Sequence, residues 1–467
     1  MARSLPAALG LLVLTACTTV GPDYKSPEPA APAQTGFIGA FSPTFIAQEP
    51  PGRWWSLFQD PLLDSLIEQA LQANTDLRVA AANLAQARAV LREVRAGRLP
   101  STNLGGSATY GRSPGGDDGA LFDAGLDVGY QLDLFGRIRR ATEAGRADFG
   151  AVQAAYDVTR ISVAAETARA YADACSFGRQ LNVARESVRI QEETFDLTRR
   201  QFEGGRGTEL ETGQATALLE QTRAVVPTLE AQRRAALYRL AVLTGRPPAE
   251  FPAAVQACTT PPDVARPIPV GDGATLLARR PDVRGAEREL AAATARIGVA
   301  TAELYPDIRL GLSAGSTASS LDGLFSDSGF RYSLGPLISW TFPNTAVARS
   351  RIAQAEAGQQ AALARFDGTW LRALEETETA LARYVGELER VAALRRARAG
   401  GAEAARVARL RHRAGRESFQ IVLDAERSLA QVDQALAQAE AQLSNALVSV
   451  FLALGGGWQE PAAAAAG

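Results

Sequence analysis

The chain has few side chains suited to catalysis or metal binding. His412 is the single histidine among 467 residues, and none of the three cysteines, Cys17, Cys175 and Cys258, is near it in sequence. A triad needs a base beside its nucleophile, and a zinc ion usually needs about four protein or water ligands. No glycine loop with an adjacent lysine follows a strand and opens a helix. The sequence therefore predicts no enzyme, no metal site and no cofactor.

Cys17 is the residue with a predicted covalent chemistry. Arg3 precedes an apolar run from Leu5 to Leu14, which Leu14-Thr15-Ala16-Cys17 closes. This order is typical of a bacterial lipoprotein signal, in which the cysteine is lipidated and becomes the first mature residue. Residues 1–16 are then a signal peptide; the alternative is an ordinary signal with an incidental cysteine. Thr18, by similarity to lipoproteins in general, favours the outer membrane over the inner one.

The other two cysteines give no disulfide signal. Cys175 lies in a helical stretch, and Cys258 lies in an irregular proline-rich segment. We therefore expect two unpaired thiols.

Charge and hydropathy exclude two further classes. The net charge is −2, from 49 basic and 51 acidic residues, which removes any general electrostatic case for nucleic-acid binding. Beyond the N-terminus no stretch approaches the ~18–20 consecutive apolar residues of a membrane-spanning helix. If this chain crosses a membrane, it does so with strands.

Four segments have the period-2 pattern of strands with one apolar face, and they form predicted hairpins at about 101–135 and 307–342. Each has about 9–12 residues, close to the ~9–11 that cross an outer membrane as a tilted strand. The positions that suit a watery lumen are Asp127, Gln131 and Asp133, and those that suit an interfacial aromatic belt are Tyr110, Tyr130, Tyr332 and Trp340. A soluble sheet resting on helices is the alternative. Within a bilayer, four strands would leave two unpaired edges, so we expect closure with strands of other copies.

Helical spacing follows each hairpin for an unusual length, over 137–203 and 346–413. At about 1.5 Å per residue the first helix is roughly 100 Å long. Each carries a heptad seam, which predicts packing against neighbouring helices. The seam residues are Ala174, Phe177, Leu181, Ala184, Val188, Gln191 and Phe195, then Trp370, Leu374, Thr377, Leu381, Tyr384, Leu388 and Val391.

The order helix, hairpin, long helix, turn and helix occurs twice in the sequence. Asp282 and Pro306 repeat Asp76 and Pro100 at one common offset, which indicates the duplication. A helix is predicted from Leu62 to about Arg98, with Asp60 as its N-cap. The predicted divisions are a lipidated extended tail (17–60), a first repeat (61–245), an equatorial linker (246–272), a second repeat (273–455) and a C-terminal tail (456–467).

Several motifs in this order resemble the outer-membrane factor family, the TolC-like and OprM-like efflux channels, and most of all its NodT-type lipoprotein subgroup. The motifs are Gly21-Pro22-Asp23-Tyr24, Trp54-Trp55 with Phe58 and Asp60-Pro61, Asn74-Thr75-Asp76-Leu77, and Asp133-Leu134-Phe135-Gly136. The resemblance implies a mainly α fold with a small membrane β part. It implies a homotrimer with a 12-strand β-barrel joined to a 12-helix α-barrel tunnel. It also implies a passive exit duct in the outer membrane lipid, with a periplasmic adaptor and an inner-membrane pump of the RND type as partners.

In that family, acidic residues beyond a glycine turn close the tunnel at its periplasmic end. The matching positions are Glu211 after Gly205 and Asp424 after Gly415. Carboxylates near a helix start are also favoured by the helix dipole alone, which is the alternative. Arg206 and Arg416 flank the turns as candidates for adaptor contact or for simple solvent exposure.

The leading hypothesis is an efflux duct for drugs or other small molecules. The same channel could instead serve protein secretion, or the export of metals or signalling molecules, although Met1 as the only methionine weighs against copper and silver. A lipid-anchored scaffold without a pore is the alternative of a different class.

Overall fold

The computed structural model describes residues 19–27, 36–112, 118–264, 267–272 and 279–456. Its longer elements are α1 (Pro61–Ala73), α2 (Thr75–Ala96), β1 (Ser101–Arg112), β2 (Asp118–Leu132), α3 (Arg137–Glu203), α4 (Glu209–Leu243), α5 (Pro281–Ala302), β3 (Asp307–Ala318), β4 (Phe330–Ser339), α6 (Ala346–Arg413) and α7 (Phe419–Ala453). Hairpin, long helix, turn and helix occur in this order twice, after α1 and α2 in the first copy and after α5 in the second, which confirms the predicted duplicated, mainly α fold. Residues 1–16 and Cys17 lie outside the described residues.

The chain forms two compact units. The sheet unit contains Ala82–Ala154 and Arg284–Thr369 together with the N-terminal segment, and the helical unit contains the rest. In the sheet unit the four strands pair antiparallel in the order β1-β2-β3-β4.

At two places the alternation of apolar and polar residues continues in the sequence beyond the end of the strand. β2 ends at Leu132, because the carboxylate of Asp133 turns away to accept hydrogen bonds from the backbone N–H groups of Ile138 and Arg139, both at 2.9 Å. Asp133 is therefore a cap of α3 and not a lumenal residue of the strand. β4 ends at Ser339, and the indole N–H of Trp340 donates to the carbonyl of Leu304 at 3.0 Å.

The predicted helix from Leu62 to about Arg98 is wrong in one respect, since it is two helices separated at Asn74. The side-chain oxygen of Asn74 accepts from the backbone N–H groups of Asp76 (2.9 Å) and Leu77 (3.3 Å), and its amide donates to the carbonyl of Leu243 at 3.1 Å. Asparagine commonly competes with helix continuation in this way. Asp60 caps α1 as predicted, accepting from Leu62 at 3.0 Å.

Both heptad seams face inward in the helical unit. Every seam residue is buried or half-buried, and Leu381 and Tyr384 are fully enclosed. Trp54 is also fully enclosed and stacks on Phe451 of α7 with ring centroids 5.0 Å apart. The apolar core of this unit therefore joins the chain before α1 to α3, α4, α6 and α7.

The prediction of two free thiols is wrong, because Cys175 and Cys258 form a disulfide. Cys175 is fully buried on α3, and the linker packs there through residues such as Val255 and Ile268, which are also fully buried. The side chain of Arg233 donates to the carbonyl of Cys258 at 3.1 Å. Sequence position could not show that the irregular linker returns to the middle of α3.

We expect replacement of both cysteines by alanine to destabilise the helical unit substantially. The bond closes a chain separation of 83 residues, for which the loop-entropy model gives about 4–5 kcal/mol and measured disulfides typically about 2–4 kcal/mol. Thermal unfolding of the purified protein, with and without reductant, measures the effect. The matched control is Ser176→Ala, also a buried position on α3, and an unchanged midpoint in the double alanine variant would contradict the prediction.

Candidate channel wall and turn residues

One face of the sheet is apolar across all four strands. The register places one row at Leu104, Leu126, Ala314 and Tyr332, and the next at Thr102, Val128, Leu312 and Leu334. Most of these side chains are exposed in the single chain, and Val128 and Ala314 are half-buried; Leu104 is 82% exposed and Leu334 is 68% exposed. An apolar face of this extent is typical of a surface covered by lipid or by another protein.

The opposite face is polar or small. Asn103, Asp127, Ser313 and Ser333 form one row, and Asp123 accepts hydrogen bonds from the Thr317 hydroxyl (2.7 Å) and from Arg331. Gly315 lies where a Cβ atom would be 2.6 Å from the carbonyl oxygen of Ala124, so no larger residue fits there without a shift. The two-faced strands predicted from the alternation are therefore confirmed.

The sheet has two open edges within the described chain. β1 pairs only with β2, and β4 pairs only with β3. Exposed edges of this length offer unpaired backbone N–H and C=O groups to another strand. None of the described helices is long and apolar enough to span a bilayer.

Each long helix ends in the same type of turn. Gly205 and Gly415 adopt left-handed backbone conformations, with φ of 68° and 70°. The following N–H groups, of Arg206 and Arg416, donate back to the carbonyls of Gln201 and Arg411 at 2.8 and 2.9 Å. This is the helix-ending geometry in which glycine is preferred. The side chains of Arg206 and Arg416 are exposed.

Glu211 lies in a capping box at the start of α4. Its carboxylate accepts from the backbone N–H of Thr208 at 2.8 Å, and the Thr208 hydroxyl accepts from the N–H of Glu211 at 3.3 Å. Part of its acceptor capacity is therefore used to start the helix.

Asp424 is exposed on the second turn of α7. The Gln420 amide donates to its two carboxylate oxygens at 3.2 and 3.3 Å, and the Arg427 guanidinium lies 3.8 Å away. The starts of α4 and α7 pack together through Leu218 and Leu423. The structure therefore places the two candidate acidic residues on neighbouring helix starts.

Two acidic or basic positions were missed in the sequence. Glu426 is only 3% exposed; it accepts from the Thr194 hydroxyl at 3.1 Å, and Arg409 lies 3.9 Å away. Burial raises the pKa of the Glu426 carboxyl. Phe419, Val422 and Glu426 follow helical spacing on the inward side of α7, and this spacing was the available signal.

The second missed residue is Arg140, which holds the N-terminal segment. Its side chain is 4% exposed and donates to the carbonyls of Val20 and Gly21, both at 3.1 Å, and to Asp23 at 2.7 Å. Gly21 has a φ of 84°, and a Cβ there would lie 2.4 Å from the Cα of Gly298. The start of the Gly21-Pro22-Asp23-Tyr24 motif is therefore held by the Arg140 side chain and packs closely against Gly298.

A family model described as "Outer membrane efflux protein" matches residues 66–246 and 274–456. The chain belongs to this family. It is similar to Nodulation protein T of Rhizobium leguminosarum bv. trifolii, with 29% identity and 97% of each chain covered. It is also similar to the probable efflux pump outer membrane protein TtgC of Pseudomonas putida, with 32% identity over 98% of this chain and 96% of the relative.

The fold matches a solved structure of this family closely. The outer-membrane channel OprN has a TM-score of 0.90 at 37% identity, covering 95% of this chain and 100% of that one. The resemblance stated from the motifs is thereby confirmed. The protein is an outer membrane channel of efflux systems, and the two-faced sheet and the paired turns belong to that architecture.

Proposed function

We propose that three copies of this outer membrane efflux protein form a passive duct, without catalytic activity of its own, that exports small molecules. The observation that carries the proposal is the apolar sheet face with its two open edges. In a bilayer each unpaired backbone group costs several kcal/mol, so β1 of one copy has to pair with β4 of another. Two copies would give about eight strands, a size at which side chains fill the barrel. Three copies give the 12 strands implied by the family resemblance.

The N-terminal segment supports a lipid anchor at Cys17. Val20 donates its backbone N–H to the carbonyl of Phe135 at 3.2 Å, and Thr19 lies against Gly136. These residues connect the end of β2 to the start of α3. The lipid anchor itself is proposed on the signal-like sequence that ends at Cys17.

The proposed partners are a periplasmic adaptor and an inner-membrane pump of the RND type. Arg206 and Arg416 are candidate adaptor contacts, because both are exposed at the helix turns. Glu211 and Asp424 are the proposed periplasmic gate.

The cargo is proposed to be small organic molecules, drugs included. The relatives differ in the cargo that their names state: CusC is a cation efflux protein at 30% identity, and OpmQ is a pyoverdine export protein at 32% identity. The lack of any methionine beyond Met1 weighs against a copper or silver path.

Three measurements test the proposal. The detergent-extracted protein should have the mass of a trimer and conduct ions in planar bilayers, and deletion of its gene should raise susceptibility to drugs and dyes. A monomer without conductance would instead favour the scaffold alternative. Unchanged drug susceptibility with loss of a secreted protein, or with metal sensitivity, would reassign the cargo.

A further inference from the structure

A pocket of about 250 Å³ lies in the helical unit between α3, α4 and α7. Its apolar surface comes from residues such as Val183, Leu218 and Val225. A closed apolar cavity of about 150 Å³ is enough to bind benzene. The volume therefore suits a molecule with one or two aromatic rings.

Four glutamines surround this apolar surface: Gln180, Gln221, Gln431 and Gln434. Among the described residues, none of their side-chain amides has a hydrogen-bond partner, although Gln180 is only 7% exposed. Buried amides in folded proteins are nearly always hydrogen-bonded. Gln221, Gln431 and Gln434 are exposed and can bond water, so Gln180 is the one buried amide of the four that has no partner among the described residues. A buried amide without a partner on the wall of a pocket is the arrangement expected for a group that orients a bound molecule.

Arg427 supplies the one charged group of the pocket. Its guanidinium lies 3.8 Å from Asp424 and is partly exposed, so this ion pair is loose. A ligand with a carbonyl or carboxylate could accept from Arg427, since guanidinium groups favour oxygen acceptors. Arg427 thus lies between the pocket and Asp424 of the proposed gate.

We infer that this pocket binds small aromatic amphiphiles that carry a carbonyl or carboxylate group. The ring packs on Val183, Leu218 and Val225, while the oxygen atoms accept from the glutamine amides and from Arg427. This inference rests on the proposed function only where it treats such molecules as cargo of the duct. Binding of the molecule in the pocket does not depend on transport.

The test uses 2-naphthoate, a two-ring carboxylate, titrated by calorimetry into the full chain in lipid nanodiscs. We expect saturable binding at one site per chain. Val225→Trp fills the pocket from a half-buried position and should weaken binding at least tenfold, and Gln221→Leu should weaken it by about 5–10-fold, the loss expected for one hydrogen bond. Gln232→Leu, the same change at an exposed position of α4 outside the pocket, should leave binding unchanged.

The recovered oligomer and its circular dichroism spectrum establish that each variant is folded. Absence of saturable binding by the wild-type protein, or equal binding by the Val225→Trp and Gln221→Leu variants, would overturn the inference. The inference would also be overturned if the Val225→Trp variant bound 2-naphthoate normally but no longer bound the periplasmic adaptor. The pocket would then be a contact surface for the adaptor. If the protein conducts ions but does not bind 2-naphthoate, the pocket inference fails and the duct proposal stands. If it binds 2-naphthoate but does not conduct ions, the duct proposal fails and the pocket inference stands.

Discussion

Leu312→Arg will prevent stable insertion into the outer membrane, whereas Ser313→Arg will be tolerated. The two residues are neighbours in β3 and point to opposite faces of the sheet. Leu312 pairs with Val128 and Leu334 on the apolar face. An arginine on the lipid side near the bilayer midplane costs about 2–4 kcal/mol. A trimer would bear this cost three times.

Ser313 is the matched control for this experiment. It pairs with Asp127 and Ser333 on the polar face, so an arginine there has water and a carboxylate nearby. The measurement is the yield of unheated trimer in the outer membrane fraction, with total protein as the reference. Normal yield for Leu312→Arg would mean that the apolar face does not contact lipid; loss for both variants would point to a general fault in the strand.

The strands and the long helices were the most predictable parts of the fold. Alternation from Gly125 to Leu132 is a local pattern, because apolar side chains occupy one face of the strand and polar or small ones occupy the other. The long helices were equally clear, since no proline interrupts 137–203 and the seam keeps a heptad period. Such patterns repeat over many residues, so single exceptions do not obscure them.

Features that depend on one distant partner could not be predicted. The Cys175–Cys258 bond needs the linker to return to α3, and the buried Arg140 needs the backbone of the N-terminal segment. For both features the local pattern permits several partners, and only the tertiary contact selects one. Asp133 is a local case: it fits the strand pattern in sequence, but in the structure it caps the helix that begins four residues later.

The candidate gate was predicted in position but not in its contacts. The two turn glycines identify the helix starts, and the acidic residues follow from the family resemblance. The capping role of Glu211 and the hydrogen bond from Gln420 to Asp424 depend on rotamers. These contacts decide which substitutions separate the effect of charge from the effect of the hydrogen bonds.

Asp424→Ala will raise the single-channel conductance severalfold and reduce cation preference, whereas Asp424→Asn will reduce cation preference with a smaller rise. In the proposed gate, three copies of Asp424 narrow the duct, so alanine, which removes both the charge and the acceptor of the Gln420 amide, should widen it. Asparagine keeps an acceptor oxygen and removes only the charge. Rings of carboxylates select cations in channels, so each variant should shift the reversal potential in a salt gradient towards zero.

Glu211 needs a different substitution, because it also starts a helix. Glu211→Gln keeps an acceptor for the N–H of Thr208 and removes the charge, so cation preference should fall while α4 stays intact. The controls are Glu209→Gln, an exposed acid two residues earlier, and Asp367→Asn on α6, also exposed and distant in sequence from both turns. If these controls change the reversal potential as much as Glu211→Gln and Asp424→Asn do, the selectivity arises from the overall charge of the duct. The turn carboxylates would then be ordinary solvated helix-start residues.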